Sequence, residues 1–236
     1  MNIFAVICVQ LYRSKVLDNL NNNINNIVSY KTVKRECSAE FTEKKSVFIC
    51  SIKPAPDERC ALDFINKIRG KFNGASHNVY AYIIRTTNAV RFSDDGEPAS
   101  TAGIPALSVL QKNDLTNVVA VVTRYFGGIL LGAGGLVRAY SHAVSLAVCE
   151  SGTALFENYI EFNVICGYSD YDKFTKFINA EKIILDSTDF GENITVSLAV
   201  KHDRFEKING DIINLTNGKA VITKKGSRFT STDLYY

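Results

Sequence analysis

The chain has 236 residues, 46% of them hydrophobic and 22% charged, which suits one large domain or two small ones at about 100–200 residues each. Its formal net charge of +3 is too small, on a chain this long, to argue for nucleic-acid binding by itself. Six cysteines without a CxxC pair and three histidines far apart in sequence give no local metal-ligand spacing, so no metal and no cofactor are expected, and the cysteines read as buried thiols of a reducing compartment.

The opening "MNIFAVICVQLYRSK" is far shorter in its apolar run than the roughly 20 residues of a membrane span and lacks the layout of a signal peptide. A cytoplasmic protein with no membrane partner is the expectation. "DNLNNNINNIVS" is asparagine-rich and unable to build a core, so residues 1–28 read as a disordered or weakly ordered extension.

Strand-like segments follow, "SVFICSIKP" and "NVYAYIIRT", flanking "DERCALDFINKIRGKF", in which Leu62, Ile65, Ile68 and Phe72 recur at helical spacing. "RFSDDGEPASTAGIP" is dense in turn formers, and Pro105 stands where a helix can start, with Leu107 and Leu110 on one side. "NVVAVV" at 117–122 is a continuous apolar run of the kind found in a fully buried strand. Leu136, Tyr140, Ala143, Val144 and Ala147 then place an amphipathic helix over 135–149. A domain over 29–152 results.

A second pattern starts at "YIEFNVIC": strand, the helix "SDYDKFTKFIN" with a Ser/Asp cap, the strands "KIILDSTDF" and "NITVSLAV", the helix "HDRFEKINGDIINL", and the strand "KAVITKKG". This β-α-β-β-α-β order predicts a ferredoxin-like domain over 153–228, and residues 229–236 read as a frayed polar tail. The fold class is α+β.

Two constellations carry chemistry. Between the buried strand and the helix, "TRYFGGILLGAGGLVRAY" sets Gly127, Gly128, Gly132, Gly134 and Gly135 within nine positions. A strand, a glycine loop and a helix N-terminus together offer unpaired N–H groups to an anion, although neither the GxxxxGK[ST] nor the GxGxxG pattern is present. The same glycines also serve close helix packing and unstrained turning. Arg124, Tyr125 and Arg138 flank the loop with groups suited to phosphate, carboxylate or a stacked base; the alternative is that Arg124 pairs with a nearby carboxylate and Tyr125 belongs to the core. The second constellation, "SDDGEPASTAG", brings Asp94, Asp95 and Glu97 together; Asp95 and Glu97 are candidates for a general base, and the stretch is equally an ordinary turn. His77, Asp95 and Ser100 have the residue types of a hydrolytic triad, but no GxSxG elbow frames Ser100.

"ASHNVYAY", "FSDDGEPASTAGIPALSVL" and "LTNVVAVVTRYFGGILLGAGGLVRAY" resemble the YigZ/IMPACT family over about residues 30–150. His77 and Asn78 match the family's His-Asn pair, and Val79 stands where a cysteine is common. The resemblance implies an N-terminal domain similar to the second domain of a small-subunit ribosomal protein, with a left-handed βαβ unit. It also implies a C-terminal ferredoxin-like domain similar to the last domain of elongation factor G, as in bacterial two-domain members. Eukaryotic relatives look like regulators of translation initiation that act through a protein partner.

These readings lead to a regulatory protein associated with translation that binds RNA or the ribosome through the glycine loop, with Arg124 as a phosphate contact. Two alternatives stand beside it: an enzyme acting on a small phosphorylated or carboxylated molecule, and a protein-interaction regulator of translation initiation. Whether any reaction is catalysed stays open in the sequence.

Overall fold

In the computed structural model, which describes residues 29–231, the apolar run at 118–122 forms the central strand of a five-stranded sheet. The extension over 1–28 and the last residues, 232–236, lie outside the described residues. The described chain divides into two units, Tyr30–Leu155 and a second beginning at Phe156.

The first unit contains β1 (Ser29–Val33), β2 (Cys37–Glu43), β3 (Ser46–Pro54), α1 (Glu58–Lys71), β4 (His77–Ile84), β5 (Ala89–Ser93), α2 (Gly103–Lys112), β6 (Val118–Tyr125) and α3 (Ala133–Ser151). Its sheet runs β2-β3-β6-β4-β5, and every neighbouring pair is antiparallel. β3 and β4 therefore run parallel, joined over the sheet by α1, with β6 filling the gap between them. Alternation along β6 explains its unbroken hydrophobicity. Val118, Ala120 and Val122 face the core shared with α2 and α3, while Val119 and Val121 face the core beneath α1.

Helix α1 is capped by Asp57, whose carboxylate accepts from the Cys60 N–H. Its buried stripe is Ala61, Phe64, Ile65 and Ile68 and not the stripe through Leu62, which is 48% exposed. Phe64 and Ala61 are buried beside Ile65 and Ile68 in place of Leu62, and Phe72 is left only partly covered. Helix α2 starts at Gly103 and takes Pro105 within its first turn, where a missing N–H leaves no bond unmade. Helix α3 buries Leu136, Tyr140, Ala143, Val144 and Ala147, as the spacing predicts.

The second unit contains β7 (Thr153–Cys166), which starts in the first unit's last residues, α4 (Tyr168–Ala180), β8 (Ile184–Phe190), β9 (Ile194–Lys201), α5 (Phe205–Leu215) and β10 (Val221–Ser231). β10, β7, β9 and β8 pair in that order, antiparallel throughout, which is the ferredoxin-like arrangement; β1 also pairs with β7 as the fifth strand of this sheet. Two local expectations are corrected. Helix α4 has Gly167 as its N-cap and no side-chain cap, with Asp170 in its first turn facing the helix dipole. The expected frayed tail is a strand as far as Ser231, because Ser227 to Ser231 pair with Ile160 to Phe156 of β7.

Among the described residues, no helix is long and apolar enough to cross a membrane. The five described cysteines are free thiols. Cys50 and Cys166 are buried as expected, but Cys149 is exposed.

Candidate functional site

Strand register assembles the floor of the site. Phe48 of β3, Arg124 of β6 and His77 of β4 are directly opposed across three strands, so their side chains leave the same face of the sheet, toward α3. One residue further, Thr123 donates its hydroxyl to the Asn78 side-chain oxygen at 2.8 Å; Asn78 is thereby a buried tie between β4 and β6. Tyr125, next to Arg124 along the strand, points to the opposite face by the same alternation and is half-buried.

The acidic loop between β5 and α2 closes over this floor. Asp94 accepts from the N–H groups of Ser100 (2.9 Å), Ala102 (3.0 Å) and Gly103 (2.8 Å), acting as the missing cap of α2. Burial alone would raise its pKa, but the three backbone N–H groups outweigh that and hold it below the ordinary carboxylate value. Asp95 is fully engaged: its two carboxylate oxygens accept from Arg69 (2.8 Å) and from the Asn78 N–H (2.6 Å). Both acids shape the loop and neither is poised as a base.

Glu97 is carried inward by this loop and is buried. One of its oxygens, Oε1, accepts from the Arg124 guanidinium and from the Tyr140 hydroxyl of α3, the latter at 2.7 Å. Burial first, and this hydrogen bond second, push the Tyr140 phenol far above its usual range. The Arg124 guanidinium is over two rings, 5.4 Å from the Phe48 centroid and 5.5 Å from that of Phe126, a favourable setting for a cation.

His77 approaches the same oxygen with Nε2, at 3.9 Å. Its other nitrogen, Nδ1, is 2.8 Å from the Asp95 carbonyl. A carbonyl only accepts, so Nδ1 carries a proton in this contact. Gly96 makes this contact possible, having φ +88° and an ideal Cβ position 3.4 Å from the imidazole.

The glycine loop forms the roof, and its glycines answer to different causes. Gly127 abuts the Lys45 and Ser46 backbone with no room for a Cβ, while Gly128 and Gly132 have φ of +82° and +72°. Gly135 lies against Leu131, and Gly134 has open space beyond the Arg138 side chain. Under the roof is a cavity of about 400 Å³ bounded by His77, Glu97 and Arg124 below and by Phe126, Leu130 and Leu136 above. Gly132 and Ala133, at the uncapped start of α3, complete it. Among the described residues, no Ser, Thr, Cys or Lys lines this cavity.

Of the residues expected at the site, His77, Glu97, Arg124 and Gly132 are brought together here. Arg138 and Gly135 line a second hollow of about 250 Å³ with Lys44, Glu43 and His142. The triad of His77, Asp95 and Ser100 does not form: the imidazole meets the Asp95 backbone, and Ser100 is held through its N–H by Asp94. Arg124 is 5% exposed and paired with Glu97, so it stands in the floor of the site and not as an open cation on the surface. Sequence reasoning missed Tyr140, Phe48 and Lys44; Tyr140 read only as a core position, and the other two join the site through strand pairings that no local pattern reveals.

Comparison with known proteins places this geometry in context. The family model described as Impact N-terminal domain matches residues 44–148, and the one described as Domain of unknown function (DUF1949) matches residues 164–219. The "IMPACT family member YvyE" of Bacillus subtilis is 36% identical over 195 residues, covering 82% of this chain and 90% of that protein. The "IMPACT family member YigZ" of Escherichia coli is 38% identical over 128 residues, covering 53% of this chain and 63% of that one. A solved structure titled "Crystal structure of an hypothetical protein" superposes with a TM-score of 0.56 at 26% identity, covering 83% of this chain and 97% of that one.

Proposed function

The chain belongs to the YigZ/IMPACT family, and from that premise we propose that it is a cytoplasmic regulatory protein of translation that binds ribosomal RNA through the face beside its glycine loop. The observation that carries this reading is a group of exposed cations gathered from two elements. Lys44, at the tip of the β2–β3 hairpin, and Arg138, on α3, line one hollow together with His142, and among the described residues Glu43 is the only acid lining it. Lys45 follows at the same tip, exposed and with φ +65°. A net charge of +3 is thus compatible with a local phosphate-binding patch. The phosphate contacts in this reading are Lys44, Lys45 and Arg138.

Co-sedimentation with ribosomes through sucrose at several salt concentrations tests it. Removing two phosphate contacts with Lys44→Ala and Arg138→Ala should lower the slope of log affinity against log salt by about two. An unchanged slope in the double variant rejects the reading.

A second reading is supported by the loop's apolar crest. Phe126, Ile129 and Leu130 are exposed, Leu130 by 82%, as suits a protein partner of the translation machinery. Under that reading Leu130→Asp abolishes co-sedimentation and the lysine and arginine substitutions leave it intact.

A further inference from the structure

We propose that the hollow between the β2–β3 hairpin and α3 seats one unpaired base, so that the RNA taken by this face is single-stranded. The inference rests on the RNA reading above and names the class of RNA. At about 250 Å³ the hollow is smaller than a pocket for a drug-sized molecule; it takes a base while sugar and phosphate stay outside.

An aromatic surface set among cations is what separates a single-strand site from a site for phosphates alone. Phe41 supplies that surface. It lines the hollow beside Lys44, Arg138 and His142 and is only half-buried. Its ring stacks on Phe48, directly opposite on β3, with centroids 5.2 Å apart and planes 13° from parallel. His142 meets it at 4.8 Å, nearly perpendicular. Two aromatic neighbours therefore fix the ring before any base arrives. Glu43, two residues further along β2, shares the face of Phe41 by strand alternation and lines the same hollow. In a patch built for phosphate alone a carboxylate is a misplaced charge. Against a base it has a use, because a carboxylate accepts from an exocyclic amino group such as that of cytosine.

The hairpin tip adds an independent observation. Glu43 pairs with Ser46, so Lys44 and Lys45 are the two residues of the turn, with φ of +45° and +65°. Positive φ at both positions is the type I′ geometry, for which Asn and Gly are the usual choices. Two lysines here are strained, and strain of this kind gathers at functional sites. Gly127, packed on the Lys45 backbone, holds the tip in place. The phosphates flanking the seated base fall to Lys44 and Arg138.

Fluorescence anisotropy of the full chain with RNA oligomers of about twelve nucleotides tests this, using oligocytidine, oligouridine, an abasic strand and a duplex. Oligocytidine should bind about tenfold more tightly than the abasic strand or the duplex, and about threefold more tightly than oligouridine. Phe41→Leu should remove the tenfold advantage and leave binding of the abasic strand unchanged, whereas Phe41→Tyr, which keeps the ring, should retain it. Glu43→Gln should bring cytidine and uridine within about twofold. Equal binding of oligocytidine and the abasic strand, an advantage that survives in Phe41→Leu, or no binding of any oligomer each overturns the inference. The ribosome salt slope of the Lys44→Ala, Arg138→Ala variant then separates the two readings. A lowered slope leaves RNA binding standing without the base seat, and an unchanged slope removes both.

Discussion

Gly127 lies against the backbone carbonyl of Lys45 so closely that no side chain, however small, fits between the loop and the hairpin tip. Its N–H donates to the Ser46 hydroxyl at 3.2 Å, which fixes the glycine loop to the β2–β3 hairpin. Gly127→Ala must push backbone against backbone and is expected to cost about 1–3 kcal/mol. Gly128→Ala meets only a positive φ, for about 1 kcal/mol. Gly134→Ala, inside α3 with open space around it, is expected to stabilise by up to about 1 kcal/mol. Urea denaturation of the three variants checks this order.

Breaking the buried pair from either side leaves a charge stranded. Arg124→Ala and Glu97→Gln are each expected to destabilise by about 3–5 kcal/mol. Tyr140→Phe removes a single hydroxyl donor and should cost about 1 kcal/mol. Because Tyr140 and Arg124 meet on one oxygen, the cost of Tyr140→Phe should fall in the Glu97→Gln background. A double-mutant cycle in urea measures that coupling.

The lowered pKa of Asp94 gives its stabilisation a pH sign. A carboxyl whose folded pKa is depressed contributes fully above its unfolded value, about 3.9, and that contribution is lost as pH falls through the folded value. Asp94→Asn should therefore destabilise by about 1–2 kcal/mol at pH 7, a low figure for three charge-assisted bonds because the group is only half-buried. The gap between variant and wild type should shrink steadily below about pH 4. Thermal melts at pH 7, 5 and 3.5 test this.

Ending the chain after Gly226 removes the pairing of Ser227–Ser231 with β7 together with Arg228, which holds Asp186 at 2.7 Å and Glu161 at 2.9 Å. The second unit should lose most of its cooperative unfolding transition, followed by circular dichroism. Arg228→Ala alone should cost no more than about 1 kcal/mol, since its pairs are about a third exposed.

Central elements were the legible ones. β6, β3 and α3 carry apolar patterns because each buries a face against a core, and pattern reports burial. β1, β2 and β5 were not read as strands, and β10 was cut short. Their residues are largely exposed or polar, as in Lys224 and Lys225 of β10, and hydrogen bonds to a neighbour hold them without a hydrophobic signature. The same limit applied to the site. The motifs containing His77, Glu97 and Arg124 stood out individually, but the bond between Glu97 and Arg124, 27 residues apart, depends on sheet register and a loop conformation that only the folded chain displays. Arg124 was accordingly read as an anion contact at a strand exit, where the fold buries it and pairs it with Glu97.

The two buried faces of β6 also set the mechanics of whatever binds next to it. Its amides can exchange with solvent only when both cores come apart, so they should exchange among the slowest in the first unit. The glycine loop hangs from this strand at one end and from the longest described helix at the other. A partner pulling on the crest at Leu130 would load the portion of the molecule that yields last. The loop is soft in composition but hard-mounted, and force applied there passes to the whole unit before any local segment gives way.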